Sequence, residues 1–146
     1  MNITINVIPS LDETEIVVNC ASITPETESI IASLRAMDSK ITVKKGEESL
    51  VLDISRIAYI ESVDRKTFVY TEDDFYETRL RLYEIEEQLY GRGFQRVSKS
   101  CLVHLRYIRS IRADIDRKLR LTLENGEQMI VSRQYANELK IRLGVK

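Results

Sequence analysis

The chain has 146 residues, of which 43% are hydrophobic and 31% charged, and its formal net charge is −1 at pH 7. These values are typical of an ordinary globular protein of one domain, with room for a small N-terminal elaboration. No apolar run could cross a bilayer, the first residues do not form a signal peptide, and Cys20 and Cys101 lack any disulfide or zinc spacing. We therefore expect a cytoplasmic protein without a metal site or other cofactor.

Residues 1–38 predict a short extension that starts with two strands. Ile3, Ile5 and Val7 alternate with polar residues, which is the pattern of a strand with one buried face. A second strand is expected over residues 15–21. Because only a polar turn separates them, the two strands are predicted to pair as a hairpin.

A helix should follow this hairpin. Thr24 suits the N-cap, Pro25 suits the first helical position, and acidic residues occupy the first turn. Four apolar residues then recur at helical spacing: Ile30, Ile31, Leu34 and Met37. We interpret this stripe as part of the core, and a surface for a dimer or another partner is the alternative.

From residue 39 onward the pattern is mainly one of short strands. We predict strands over residues 41–45, 49–53, 57–63, 67–71 and 75–78. A helix over residues 80–90 is predicted to bury its apolar face. Its other face should turn three glutamates toward water: Glu84, Glu86 and Glu87.

The C-terminal part predicts a hairpin and a last helix. Asn125-Gly126 is a strong signal for a tight turn, here between strands over residues 118–124 and 127–131. A final helix is expected over residues 133–143, capped by the serine that precedes it.

Together these elements predict a mainly β fold with short helices, of the α+β class. We divide it into an N-terminal β-hairpin and helix extension, residues 1–38, and a larger domain, residues 39–146. The first 50 residues have four basic against eight acidic side chains, whereas the remainder has 18 basic against 15 acidic. Positive charge is therefore concentrated in the larger domain.

A basic block lies inside that domain. No acidic residue occurs between Glu87 and Asp114, whereas six basic residues do: Arg92, Arg96, Lys99, Arg106, Arg109 and Arg112. Because apolar residues interleave with them, the segment can be half buried while its cations share one surface, which suits a polyanion. The alternative is that these cations pair with carboxylates elsewhere in the protein.

Three turns or element ends carry side chains suited to nucleic acid: residues 64–67, 96–100 and 132–134. Arginine and lysine can donate to the O6 and N7 atoms of guanine in the major groove. Short polar side chains, and a helix N-terminus beginning at Ser132, are suited to phosphate. Taken singly, each segment would be an ordinary surface loop.

Four motifs, in a fixed order, carry a resemblance to a known family. They are Phe94-Gln-Arg-Val-Ser-Lys-Ser, then Leu102-Val-His-Leu with Tyr107-Ile108, then Asn125-Gly126, and then Val131-Ser-Arg-Gln-Tyr. In order and spacing, the chain between residues 40 and 144 resembles the LytTR family of bacterial DNA-binding domains. The resemblance implies an elongated β structure with short helices and no helix-turn-helix, which inserts loops and element ends into successive major grooves.

The resemblance also implies roles for individual residues. Contacts to bases would fall on Thr67, Lys99 and Arg133. Their neighbours would contact phosphate: Arg65, Lys66, Arg96, Ser98, Ser100, Ser132 and Gln134. The family often has His where this chain has Ser98, and Asn where it has His104. We interpret His104, the only histidine, as a structural polar residue, with pH sensing as the alternative.

Members of the family usually carry a phospho-acceptor receiver domain in front. Residues 1–38 lack the alternating βα pattern and the acidic cluster of a receiver, so control by phosphorylation is not expected. Stand-alone members are often encoded beside a small membrane protein that restrains them. The resemblance therefore implies double-stranded DNA as the ligand, a homodimer, and a membrane-bound inhibitor as a partner, with no small-molecule substrate.

Two classes of function follow from these observations. The first is a sequence-specific transcriptional regulator that binds imperfect direct repeats, with two copies side by side. The alternative is a protein-interaction module on the same fold, which binds a regulatory partner through its N-terminal part rather than DNA. An enzyme is not expected, because the sequence has no converging His, Cys, Asp or Glu groups and no phosphate-binding glycine loop.

Overall fold

The computed structural model describes residues 1–37 and 39–145, except for the side chains of residues 36 and 37. The chain divides into two compact units, Met1–Met37 and Asp38–Lys146. Among the described residues, no helix is both long and apolar enough to span a bilayer.

The N-terminal unit has one helix, α1 (Pro25–Met37), and its described residues form no strand. The predicted hairpin is therefore wrong for the single chain. Ile3, Ile5 and Val7 are 83%, 83% and 84% exposed, so the alternating pattern has no surface to pack against. Two strands alone bury too little apolar surface to be more than marginally stable in water.

Helix α1 begins where it was predicted. Thr27 N donates to Thr24 Oγ1 at 3.3 Å, which caps the helix. Three residues of the predicted apolar stripe are half buried: Ile30, Ile31 and Leu34. The side chain of the fourth, Met37, lies outside the described residues. The stripe is thus partly covered in the single chain.

The larger unit is dominated by strands. Its described elements are β1 (Lys40–Lys45), β2 (Glu48–Asp53), β3 (Tyr59–Val63), β4 (Lys66–Tyr70), β5 (Phe75–Thr78), α2 (Leu82–Gln88), β6 (Phe94–Ser98), β7 (Cys101–His104), β8 (Ile108–Ala113), β9 (Leu119–Leu123), β10 (Gln128–Val131) and α3 (Arg133–Leu143). Short 3-10 turns at Ile54–Arg56, Leu105–Tyr107 and Ile115–Arg117 connect some of them. The predicted mainly β class with short helices is confirmed.

The strands form two antiparallel sheets. One has seven strands in the order β2-β1-β5-β4-β3-β7-β6, and the other has three in the order β10-β9-β8. The predicted hairpin around Asn125-Gly126 is confirmed as the β9–β10 pair, with Val131 opposite Leu119 at its open end. Most neighbouring strands of the seven-stranded sheet are consecutive in the chain, but β1 pairs with β5 and β3 pairs with β7. The β3–β7 pair brings the β3–β4 and β6–β7 turns to the same end of the sheet.

One hydrophobic core lies between α2 and the seven-stranded sheet. Leu82, Ile85 and Leu89 are buried at helical spacing. They belong to one cluster with Ile60 of β3 and Leu102 of β7, which come from the interior of the sheet.

A second core lies on the other face of the same sheet. Tyr59 directly precedes Ile60, and Val103 directly follows Leu102. Both belong to a second cluster with Leu121 of β9 and Leu139 of α3. Adjacent strand residues point to opposite faces, so both faces of β3 and β7 are covered. Every residue of β7 is buried as a result. This strand is a firm support for the turn that precedes it.

Candidate nucleic-acid interface

The first of the three predicted contact segments is the tip of the β3–β4 hairpin. Asp64 and Arg65 have positive φ angles of 50° and 67°, as a two-residue hairpin turn requires. Arg65 is exposed, and Lys66 Nζ lies 3.7 Å from Glu77 Oε1. Thr67, in contrast, is only 3% exposed. The exposed side chain at the tip is therefore Arg65. A base contact by Thr67 stays a prediction, and the burial of this side chain argues against it.

The second segment, residues 96–100, consists of the end of β6 and the β6–β7 turn. Lys99 is exposed at its tip. Ser100 N donates to Ser98 Oγ at 3.2 Å, which closes the turn with a side-chain hydroxyl. The pairing register shifts between Arg96 and Ser98, so a bulge precedes the tip. The local bonds order this turn and leave the lysine in solvent.

The third segment is the N-terminus of α3. Ser132 is the N-cap residue, with φ −68° and ψ 155°, and its hydroxyl makes no capping bond within the described structure. Arg133 and Gln134 are exposed. The first turn of α3 has no acidic residue. The positive end of the helix dipole is therefore not compensated by a carboxylate in that turn.

Two backbone hydrogen bonds join these three segments. Ser62 N, on the strand that leads to the first turn, donates to Ser100 O at 2.8 Å. Ser132 N donates to Val97 O at 2.9 Å. The β6–β7 turn is thus held between the other two segments. Their spacing is set by backbone bonds rather than by mobile side chains.

Arg96 has its partners inside the protein. Its Nη2 donates to Glu86 Oε1 at 2.9 Å and its Nη1 donates to Lys99 O at 2.7 Å. The Arg96 side chain is 15% exposed, against 43% for Glu86. A charged pair of this geometry is both strong and directional. Arg96 therefore links α2 to the turn that carries Lys99, an arrangement that we call the Arg96 clamp.

The clamp corrects one prediction about α2. Glu86 was expected to point to water, and its side chain is 43% exposed, but it also pairs with Arg96 of β6, which the prediction did not include. Glu86 is also the residue of this region that sequence reasoning missed. A separation of ten residues between a helix and a strand matches no local pairing rule. No signal in the sequence could have found this pair.

The basic block is divided between the two sheets. Arg96 and Lys99 belong to β6 and its turn, which adjoin the three contact segments. Arg109 and Arg112 are exposed on β8, which is an edge strand of the three-stranded sheet. The segment predicted as one surface therefore supplies cations to two regions of the unit.

His104 and Cys101 are buried parts of β7. His104 Nδ1 lies 2.8 Å from Ile57 O, and its ring stacks on Phe94 with centroids 4.4 Å apart. The predicted structural role of His104 is confirmed. Burial lowers the pKa of His104 below its usual value of 6.5. Burial also raises the pKa of the Cys101 thiol to about 12, so Cys101 is not a reactive thiolate at neutral pH.

The fold and the three segments define a class of protein. It is a mainly β domain that aligns two turns and a helix N-terminus through a sheet, and in its described part no two helices follow each other in the chain. The arrangement is that of a DNA-binding domain without a helix-turn-helix. Residues 47–144 match the family model of the LytTr DNA-binding domain, and the chain belongs to this family. The resemblance noted in the sequence is confirmed.

Solved and curated relatives agree with this assignment. The LytTr DNA-binding domain of a Bacillus cereus protein described as a methyl-accepting/DNA response regulator matches with a TM-score of 0.68 and 30% identity, covering 73% of this chain and 97% of that domain. Sensory transduction protein LytT of Bacillus subtilis (strain 168) is 33% identical over 101 residues, which are 69% of this chain and 42% of that protein.

A further relative is similar along nearly its whole length. A protein of Staphylococcus aureus (strain NCTC 8325) named as an HTH-type transcriptional regulator is 26% identical over 145 residues. The alignment covers 97% of this chain and 98% of that protein, so it includes the N-terminal unit as well as the DNA-binding domain.

Proposed function

We propose that this chain is a sequence-specific regulator of bacterial transcription, and that it contacts DNA through the β3–β4 tip, the β6–β7 turn and the N-terminus of α3. The pair of backbone bonds that holds these segments at a fixed spacing, in a domain of a DNA-binding family, carries the proposal. The names of its Staphylococcus aureus and Bacillus subtilis relatives also favour a regulatory role.

Lys99 and Arg133 take the base-contacting roles in this proposal. Both side chains are exposed, and each lies at the end of a structural element rather than on a sheet face. Arginine can donate two parallel hydrogen bonds to guanine O6 and N7, and lysine can donate to the same atoms. A rigid support under each one keeps the ordering cost of binding small.

At the first segment we assign the contact to Arg65. The base-contacting position of the family corresponds to Thr67, but the burial of that side chain supports a base contact by Arg65 instead. Thr67 would pack beneath the turn, while Arg65, held by a positive φ angle at the tip, would reach the DNA. Lys66 would contact phosphate beside it.

The remaining polar residues of the second and third segments are proposed to contact phosphate: Ser98, Ser100, Ser132 and Gln134. Hydroxyl and amide groups of this kind position a protein on the duplex without reading sequence. The uncompensated first turn of α3 adds attraction for an anion. Arg96 would serve instead to position Lys99, because the Arg96 clamp already occupies its guanidinium.

Further details of the proposal rest on the resemblance alone. Two copies would bind side by side at imperfect direct repeats, with the segments entering successive major grooves. Control by a membrane-bound inhibitor belongs to the same proposal, and so does a location in the cytoplasm, where the DNA is.

The proposal is tested by selecting bound duplexes from a random DNA pool with the purified chain at near-physiological salt. We expect an enriched repeated motif that binds about 10³-fold more tightly than a scrambled duplex. The double variant Lys99→Ala/Arg133→Ala is the matched control, and it should enrich nothing. If the parent chain also enriches nothing and binds DNA only weakly, the interaction-module alternative replaces the proposal.

A further inference from the structure

Large apolar side chains are exposed more densely in the N-terminal unit than in the larger unit. Ten are exposed within residues 1–23: Met1, Ile3, Ile5, Val7, Ile8, Leu11, Ile16, Val17, Val18 and Ile23. Residues 39–145, a segment several times longer, expose nine such side chains in the described structure. Exposed apolar surface concentrated in this way marks an interaction site.

Two stretches of the same segment are free of charged side chains. Residues 1–11 and 16–23 contain none, whereas Asp12, Glu13 and Glu15 lie between them. Like charges directly opposite each other destabilise strand pairs. Two copies of residues 2–8 could therefore lie side by side without side-chain repulsion.

The backbone of this segment also has hydrogen-bonding capacity to spare. Among residues 1–23, which the structure describes, one backbone–backbone bond is formed, from Leu11 N to Ile8 O at 3.1 Å. Backbone amides and carbonyls that are not paired within the chain are a template for another strand.

We propose that two copies of this chain pair through residues 2–8 as antiparallel strands centred on Ile5. In that register Ile5 faces the partner's Ile5, and Ile3 faces the partner's Val7. All three apolar residues of each copy then meet three apolar residues of the other on one face. This self-complementarity is what a two-fold interface requires, because the same patch must fit itself.

The pairing also accounts for the hairpin that the single chain does not form. If residues 15–21 of each copy add an outer strand, the dimer contains a four-stranded antiparallel sheet. Two strands are marginal in water, whereas three or more with an apolar face are stable. Ile16 and Val18 have the spacing to extend the apolar face of Ile3, Ile5 and Val7. The second copy thus completes an element that one chain can only begin.

This inference goes beyond the proposed function, since it concerns the protein without DNA. The N-terminal unit lies within the alignment that spans 98% of the Staphylococcus aureus regulator, so a unit of similar length precedes the DNA-binding domain there. A dimer would also tether two DNA-binding domains and raise the effective concentration of the second at a neighbouring site.

The test uses single cysteines in the full-length chain. Cys20→Ser removes the exposed native thiol and leaves the buried Cys101 in place. In the proposed register, two copies of residue 5 have Cα atoms about 4.5–5.5 Å apart, within the range of about 4.4–6.8 Å that disulfides span. Two copies of residue 3 would lie about 14 Å apart along the strands.

On mild oxidation without DNA, we expect Ile5→Cys to become mainly a disulfide-linked dimer. Ile3→Cys should stay unlinked. The double variant Ile3→Cys/Val7→Cys should link, because position 3 of each copy then faces position 7 of the other. Equal linking of Ile3→Cys and Ile5→Cys would overturn the register.

Sedimentation of the parent chain at micromolar concentration provides the second readout. We expect a dimer, and a monomer for Ile5→Lys with the far-UV circular dichroism of the larger unit retained. A monomeric parent chain, or a dimer that persists in Ile5→Lys, would overturn the proposal in favour of a different partner or a different surface.

Discussion

The two units contain the same alternating pattern of apolar residues and bury it to very different extents. Leu121, in the middle of β9, is 0% exposed, whereas Ile5 is 83% exposed. Strand β9 lies between β8 and β10, and its apolar face packs on α3. In the part of the chain that the structure describes, residues 2–8 pair with no strand. An alternating pattern shows which residues can lie on one face of a strand. That face is buried only where another strand or helix packs on it.

The largest expected effect tests this contrast in burial. Leu121→Ala should lower the free energy of unfolding of the larger unit by about 2–5 kcal/mol, because it leaves a cavity in the second core. Ile5→Ala, the matched change in the other unit, should alter it by no more than about 0.5 kcal/mol. Urea denaturation followed by circular dichroism measures both. If both variants lowered the free energy of unfolding by similar amounts, the proposed difference in burial between Leu121 and Ile5 would be contradicted.

The second prediction assigns DNA discrimination to the larger unit. Arg133→Ala should reduce the preference for the enriched site over a scrambled duplex by about 1–3 kcal/mol, because a base contact is lost. Ile5→Lys should leave the preference of a single DNA-binding domain for a single half-site unchanged. Fluorescence anisotropy titrations on both duplexes report the difference. An equal loss of affinity on cognate and scrambled DNA would remove Arg133 from the base-contacting set.

The third prediction isolates the Arg96 clamp. Glu86→Gln removes a negative charge from a DNA-binding domain, which by itself should tighten binding to every sequence. Because Glu86 also holds Arg96, we expect an additional loss of discrimination of about 1 kcal/mol between cognate and scrambled DNA, which the charge change alone does not cause. The salt dependence of binding should stay the same, since no phosphate contact is removed.

Glu87→Gln is the matched control for that experiment. Glu87 is exposed on the same helix, one residue away. If both variants simply tighten binding to all duplexes, the clamp does not position Lys99.

The smallest expected effect is a pH dependence that belongs to the larger unit. Burial lowers the pKa of His104 in the folded state, so the unfolded chain takes up the proton first as the pH falls through about 6.5. The free energy of unfolding should therefore decrease between pH 7 and pH 5. As His104 is the only histidine, His104→Asn should flatten this slope whatever its own cost in stability. An identical slope in the variant would assign the effect to other groups.

The local elements of the larger unit were predictable because their signals are local. Asn125-Gly126 marks its hairpin, and the predicted last helix, residues 133–143, agrees with the observed α3. The strand order of the seven-stranded sheet was not predictable, because it depends on contacts between segments far apart in sequence.

The candidate site divides along the same line. The exposure of Lys99 and Arg133 follows from their positions at a turn and at a helix start, which the sequence marks. The burial of Thr67 and the bond between Arg96 and Glu86 depend on tertiary packing, so no pattern along the chain announces them. The contacts of these residues with DNA remain predictions.

The backbone bonds from Ser62 to Ser100 and from Ser132 to Val97 have a consequence for how new specificities can evolve. Neither bond involves a side chain, so substitutions at positions 99 and 133 leave the distance between the two contact points unchanged. A lineage can exchange the preferred bases at one point while the interval between points, measured along the duplex, is inherited intact. The operators of related regulators would then differ in base sequence more readily than in the spacing between the contacted bases.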